Sequence, residues 1–194
     1  MTGADSGAVS NEAGIRERVL EAAVAELATS TFADFTLEAA ATRAGVDHWW
    51  VKQTWANSAE LLADALRDFG ARHMPLPDTG SLRGDLLEYA KSYAAMVSSP
   101  MGRRVVNSVI VKPQDWDVSG SRPTYLEKRD LRMTSVIQRG IERGECSPVI
   151  DPVRIIDMLG IAVCLPMMLY DRPILDADCE FAVDTLMNGI TPRQ

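Results

Sequence analysis

An all-α fold of about nine helices is predicted by three features of the sequence. Apolar residues recur at helical spacing, capping and breaking residues divide the chain into segments, and no stretch alternates convincingly between apolar and polar residues. Only 6% of the 194 residues are aromatic, and Ala, Leu, Val and Met are plentiful, which favours helices. This length suits one or two small domains whose cores are stable without disulfides or metals.

Three short helices are predicted in the N-terminal part. The first, over residues 15–28, carries apolar residues spaced for one helix face: Ile15, Val19, Ala23 and Leu27. The second begins after Thr36, a good N-cap, and ends at Gly45, because glycine adopts the left-handed backbone that ends a helix at little cost. The third begins after Asp47, another N-cap residue. We therefore predict a helix-turn-helix domain over residues 15–56.

A connector helix and a second domain are predicted after it. The fourth helix, over residues 57–73, starts at Asn57-x-x-Glu60, which is similar to a capping box. Two prolines and a glycine between residues 74 and 80 mark a linker. Five further helices are predicted in a domain over residues 74–194, at about 81–98, 101–111, 122–143, 151–170 and 176–189.

The helix that follows Pro152 is apolar on nearly every side, which is too much for one stripe. In a chain this small, a second subunit is the economical cover for such a helix. We therefore expect a homodimer with an interface of at least ~1,600 Å² in total.

Composition excludes several classes of protein. The longest apolar run, residues 160–170, is 11 residues long, whereas a membrane span needs roughly 20. Residues 1–13 hold two acidic residues and no basic one, so we predict a disordered tail over residues 1–14 rather than a secretory signal. The three cysteines form no C-x-x-C pair, so neither a disulfide framework nor a structural zinc site is expected. The expected location is the cytoplasm.

The segment from Thr36 to Trp55 carries the most specific signal. Two short helices joined by a turn at Gly45-Val46-Asp47 form a helix-turn-helix, whose second helix can enter a DNA major groove about 12 Å wide. The sequence TLEAAATRAGVDHWWVKQTWANSAELLADAL resembles the signature of the tetracycline-repressor family. In that signature a threonine opens the second helix, A-x-x-A-G-V leads to the turn, and an aromatic residue closes the recognition helix.

Two further segments extend this resemblance. Upstream, RERVLEAAVAEL is similar to the family's first helix, so that the resemblance covers about residues 15–66. After the linker, DTGSLRGDL is similar to the opening of the C-terminal domain in some members.

The resemblance implies a homodimeric transcriptional regulator that acts as a repressor. Its N-terminal helices would bind a palindromic operator, and its C-terminal helices would bind a small hydrophobic effector. Effector binding would rotate the fourth helix and release double-stranded DNA. Residues expected to contact DNA are Thr36, Arg43, His48, Trp49, Trp50, Lys52, Gln53 and Thr54. Residues expected to line the effector pocket are Tyr89, Tyr93, Met96, Arg104, Trp116, Met133 and Met158. Residues expected in the dimer interface are Ile155, Leu159, Val163, Met167, Phe181 and Leu186.

The net negative charge of the N-terminal part predicts a low affinity for DNA. Residues 1–70 carry five basic and eleven acidic residues, a net −6, whereas residues 71–194 carry a net −1. Because phosphate neutralisation dominates most protein–DNA affinity, we expect weak, salt-sensitive binding. Positions that are usually tyrosine and lysine in the family are Lys52 and Ser58 here. The alternative hypothesis is therefore a regulator-fold protein that has lost operator binding and acts through ligand or protein contacts.

The third hypothesis is an enzyme, and few features of the sequence support it. It has no nucleophile elbow, phosphate-binding loop or H-E-x-x-H motif, and its two histidines leave few options for acid–base catalysis. We therefore expect no enzymatic activity, no cofactor, no bound metal and no membrane partner.

Overall fold

The computed structural model describes residues 4–30, 34–106 and 121–190, with the backbone alone for residues 4–10 and 121–131. Within these residues it contains nine α-helices and no strand, which confirms the predicted all-α class. The helices are α1 (Ala4–Leu27), α2 (Leu37–Ala44), α3 (His48–Thr54), α4 (Ser58–His73), α5 (Leu82–Ser98), α6 (Pro100–Val106), α7 (Ser121–Glu142), α8 (Pro152–Tyr170) and α9 (Asp176–Ile190).

The chain divides into two compact units. The first holds the described residues of Met1–Phe69 and Arg104–Tyr125, and the second holds those of Gly70–Arg103 and Leu126–Gln194. The division falls within α4, the helix that the sequence predicts as a connector. Each unit has its own apolar core, with Val51 and Trp55 in the first.

The helix-turn-helix residues adopt the backbone that the sequence predicts. The Ala39 N–H donates a hydrogen bond to the Thr36 hydroxyl at 3.1 Å, and the Trp49 N–H donates one to the Asp47 carboxylate at 2.7 Å. Both residues therefore cap their helices. Gly45 ends α2 with φ 64°, where a larger residue would be strained. Because α2 packs against both α1 and α3, this turn sets the direction of α3.

The start of α4 has the predicted capping box in a slightly altered form. The Glu60 N–H donates to the Asn57 side-chain oxygen at 2.9 Å, as expected. The Glu60 carboxylate in turn accepts from the N–H of Ala56, one residue before the cap, at 2.9 Å. These two bonds fix the chain between α3 and α4.

The first helix begins earlier than predicted, because α1 starts at Ala4 and the tail over residues 1–14 was expected to be disordered. Residues 11–13 are exposed, so tertiary packing does not explain the extension. Helix cooperativity does. Once the packed turns after Ile15 have formed, each residue added in front of them gains a backbone hydrogen bond without a new nucleation cost, and residues 1–14 contain no proline to stop it.

In the second unit α5 packs against α8 and α9, which also pack against each other. The Val153 N–H donates to the Asp151 carboxylate at 2.9 Å, and Pro152 lies in the first turn, so α8 begins as predicted. At Gly140 in α7, an added Cβ would lie 2.7 Å from the Leu82 side chain. This close approach requires glycine.

A buried carboxylate, Asp85, ties the start of α5 to α7. Its side chain is fully buried and accepts hydrogen bonds from the N–H and the hydroxyl of Thr79 at 2.6 and 2.8 Å. The guanidinium of Arg139 lies 3.4 Å away and also donates to the Pro77 carbonyl at 2.6 Å. The segment DTGSLRGDL is thus a structural motif in which Thr79 and Asp85 close a polar turn.

Candidate nucleic-acid interface

The two faces of α3 differ sharply in exposure. Val51 and the adjoining Trp55 are 0% and 1% exposed, so they anchor the helix in the core of the first unit. The opposite face presents Trp49, 70% exposed, together with Lys52 and Gln53. An exposed polar face on a short helix after a tight turn is the geometry that reads base edges in a major groove.

The remaining residues expected to contact DNA are placed less uniformly. Thr54 is exposed, although its hydroxyl donates to the Trp50 carbonyl at 3.0 Å. Trp50 is half-buried and its ring packs edge-on against Trp55, with centroids 6.0 Å apart. Thr36 is exposed at the N-terminus of α2, where its hydroxyl serves as the cap. Trp50 therefore has a packing role, and its contact with DNA stays a prediction.

The cations on this surface are paired with carboxylates of the same unit. The Lys52 ammonium lies 3.0 Å from the Glu38 carboxylate, and the His48 Nε2 atom lies 2.9 Å from the same oxygen. Arg43 lies 2.7 Å from Glu26, beside an open surface hollow of about 550 Å³. The hydrogen bond from Lys52 lowers the pKa of Glu38 from 4.5 to about 2. Glu38 is therefore ionised at every pH at which the protein would bind DNA.

Asp64 on α4 joins three elements around the end of the recognition helix. Its carboxylate accepts from the Trp55 indole N–H at 3.2 Å, from Arg16 on α1 at 2.5 Å, and from Arg67 at 2.7 Å. The Arg16 guanidinium also lies 5.5 Å from the centre of the Trp55 ring, within cation–π range. Nothing in the sequence pattern distinguished Asp64, because its partners lie on other helices.

Asp64→Ala should lower the free energy of unfolding of the first unit by about 2 kcal/mol, since it leaves the buried Trp55 indole N–H and two guanidinium groups without their acceptor. Thermal melting followed by circular dichroism measures the loss. Asp64→Asn keeps an acceptor for Trp55, so it should cost less and shift the Trp55 indole N–H resonance in a ¹⁵N spectrum. Equal melting curves for wild type and Asp64→Ala would contradict the joining role.

The residues expected to line an effector pocket fall into two groups. Tyr89 and Tyr93 stack with their ring centroids 6.3 Å apart, and Met96 and Met133 are buried. Arg104 and Met158 are exposed, Met158 to 63%, so they do not face the interior that a pocket between helices needs. Their contact with an effector stays a prediction that this exposure does not support. Trp116 lies outside the described residues.

The predicted dimer-interface residues differ in how much of their surface the chain itself leaves exposed. Five of them are at most 9% exposed within the chain itself: Ile155, Leu159, Val163, Met167 and Leu186. Only Phe181, 76% exposed, has surface left to bury. Periodicity does not reveal which side of a helix that is apolar all round faces its own core, so the place of these residues in an interface stays a prediction.

The apolar surface that the structure leaves exposed forms a stripe on the outer face of α8. Its members are spaced three or four residues apart and are between 38% and 65% exposed: Met158, Ile161, Leu165 and Leu169. Residues at this spacing share one helix face. A contiguous apolar face of this kind marks an interaction surface.

Among the described residues, α8 is also the one helix that is long and apolar enough to cross a membrane. It has 19 residues and a mean hydropathy of 1.8. The uninterrupted apolar run considered in the sequence, residues 160–170, is shorter than this helix. Because 39% of its apolar stretch is buried within the chain, α8 also fits the core helix of a folded bundle. Length and composition do not decide between the two.

The described residues contain no group of three or more side chains that could hold a metal ion. Burial raises the pKa of the thiols of Cys146, Cys164 and Cys179, which makes them poor nucleophiles. The exposed face of α3 is the candidate interface.

A helix-turn-helix unit followed by an all-helical unit is the architecture of a class of transcriptional regulators. The family model described as "Tetracyclin repressor-like, C-terminal domain" matches residues 76–186, which is more than half of the chain. The chain therefore belongs to the tetracycline-repressor family of transcriptional regulators, as the resemblance in residues 15–66 predicted.

Known regulators are similar over nearly the whole chain. The HTH-type transcriptional regulator AqdR of Rhodococcus erythropolis is 27% identical over 91% of this chain and 86% of its own length. The uncharacterised HTH-type regulator YdeS of Bacillus subtilis is 25% identical over 91% and 88%. Among solved structures, the TetR family regulator SCO0332 has 27% identity and a TM-score of 0.69, covering 92% of this chain and 99% of its own. The flavonoid-responsive regulator FrrA shares the fold at 15% identity and a TM-score of 0.63, covering 94% and 100%.

Proposed function

We propose that this regulator is a ligand-responsive repressor that binds a palindromic operator as a homodimer, with the exposed face of α3 in the major groove. The observation that carries the proposal is the sharp division of α3 between a core-anchored face and an exposed face with Trp49, Lys52 and Gln53. Lysine can neutralise a phosphate, glutamine can bond an adenine edge, and an indole can contact a thymine methyl group.

The homodimer is supported by the exposed apolar stripe of α8. A monomer would leave Met158, Ile161 and Leu169 more than half exposed, whereas a second copy would cover them. A two-fold axis through this face would present two recognition helices to one duplex, and the half-sites of such an operator form a palindrome.

The effector part of the proposal depends on the interior of the second unit. Tyr89 and Tyr93 form a stacked pair on α5 next to α8, close to the buried Met96. Such an apolar setting with few hydroxyl groups suits a small hydrophobic molecule. Release of DNA would follow if that molecule favours an orientation of α4 in which the two recognition helices no longer fit one duplex.

We expect the protein to bind the DNA upstream of its own gene at low salt, with an affinity that falls between about 50 and 200 mM salt. Lys52→Ala should weaken binding to all sequences and lower the slope of log affinity against log salt by at most about one per protomer. Fluorescence anisotropy measures both quantities. Lys91→Ala, which removes the same charge from α5 in the second unit, is the matched control.

An affinity that hardly changes between low and moderate salt would contradict this mode of binding. Absence of any complex at low salt would favour the second candidate function, a regulator-fold protein that acts through ligand or protein contacts. The pairing of Arg43 with Glu26 and of Lys52 with Glu38 is the observation that keeps this alternative in view.

A further inference from the structure

We propose that Glu38 masks the cations of the recognition helix from the phosphate backbone, so that DNA without good base contacts is bound too weakly to be retained. This inference rests on the proposed DNA-binding function and concerns the same surface. Glu38 lies in the first turn of α2, fourteen positions before Lys52, and the turn at Gly45 brings the two side chains together.

The geometry makes Glu38 a direct competitor of phosphate. One carboxylate oxygen, Oε1, lies 3.0 Å from the Lys52 ammonium and 2.9 Å from His48 Nε2, which are distances that a phosphate oxygen would take. All three side chains are between 42% and 53% exposed, so the pair sits on the surface that a duplex would cover. A phosphate must therefore displace Glu38 or accept an unpaired carboxylate beside it.

The cost of this exchange is a larger share of the affinity in a non-specific complex than in a specific one. Non-specific binding draws essentially all its affinity from phosphate neutralisation and the release of counterions. A cation taken from Glu38 leaves a carboxylate that must regain a counterion, so the net release is small. Contacts from Trp49 and Gln53 to base edges do not involve Glu38, and they retain their full value on the correct sequence.

Three other cations of the first unit are also paired with carboxylates. Arg43 on α2 is paired with Glu26, and Arg16 and Arg67 are both paired with Asp64. The net charge of −6 over residues 1–70 is therefore accompanied by local neutralisation of the cations on the helix-turn-helix itself. Glu38 differs from Glu26 and Asp64 because its partner Lys52 lies on the recognition helix.

Glu38→Gln tests the proposal, since glutamine keeps the size of the side chain and removes its charge. The full-length dimer is titrated with a generic duplex and with the operator over a series of salt concentrations. Glu12→Gln, at an exposed position on α1, removes the same charge and is the matched control. Circular dichroism checks that both variants keep the helix content of the wild type.

We expect Glu38→Gln to bind the generic duplex about tenfold more tightly at low salt, with a slope of log affinity against log salt that is steeper by about one to two per protomer. Affinity for the operator should rise by a similar factor, because Lys52 is expected to contact phosphate in both complexes and the base contacts do not involve Glu38. Lys52→Ala should cost more affinity in the Glu38→Gln background than in the wild type, because in the wild type Lys52 must first leave Glu38 before it can bind phosphate.

Three results would overturn the proposal. The first is that Glu38→Gln binds both duplexes as Glu12→Gln does. The second is that its affinity for the operator falls, as expected of a residue that reads a base. The third is that Lys52→Ala has the same effect in both backgrounds. Elution from heparin separates this inference from the proposed function. Later elution of Glu38→Gln than of Glu12→Gln supports masking even if no operator is found, whereas equal elution with intact operator binding refutes masking alone.

Discussion

Asp85→Ala is expected to lower the free energy of unfolding of the second unit by about 3 kcal/mol. The carboxylate is fully buried and accepts two hydrogen bonds from Thr79, and it lies beside the guanidinium groups of Arg139 and Arg143. Removing it leaves the Thr79 N–H without its acceptor at the start of α5, takes one of two acceptors from the Thr79 hydroxyl, and leaves Arg139 and Arg143 without the anion that they share. The loss should lower the melting temperature by roughly 6–12 °C for a chain of this size.

Two variants show whether burial is the reason. Asp184→Ala removes a carboxylate from an aspartate–arginine pair with Arg83 at 2.7 Å, but both side chains are about half exposed, so the melting temperature should hardly change. Asp85→Asn keeps one acceptor for Thr79 and should give an intermediate loss. If Asp85→Ala had the same melting temperature as Asp184→Ala, the buried turn would not contribute to stability as we infer.

Features set by a few neighbouring residues could be predicted from the sequence. Thr36, Asp47 and Asp151 cap helices because a short polar side chain next to an apolar periodic segment reaches the free N–H groups of the first turn. Gly45 ends α2 because only glycine adopts its backbone cheaply. These local rules were enough to place the helix-turn-helix and its exposed recognition helix.

Features set by distant residues could not be predicted in the same way. The pairing of Lys52 with Glu38 depends on the angle between α2 and α3, and the buried position of Asp85 depends on α7, more than 50 residues later. The side of α8 that faces the core could not be predicted for another reason. Both of its faces are apolar, so periodicity identified the helix but not the side that packs on α5 and α9.

The exposed apolar stripe of α8 leads to the second large effect, which is on assembly. Ile161→Glu should convert the proposed dimer to a monomer, because the side chain is 52% exposed in the middle of the apolar stripe and a glutamate there would meet its own copy near a two-fold axis. A buried, unpaired charge in an interface costs several kcal/mol. Light scattering at micromolar concentration measures the mass directly.

Loss of the dimer should also reduce operator affinity by about a hundredfold or more, since two linked recognition helices bind one duplex with a high effective concentration. Val149→Glu introduces the same charge at a residue that is 90% exposed in the segment before α8, outside the stripe, and should leave both mass and affinity unchanged. Because Ile161 is half exposed in the single chain, its helix content should survive the change. A wild-type monomer, or an Ile161→Glu variant that remains a dimer, would show that the outer face of α8 is not the interface and that the palindromic operator needs another basis.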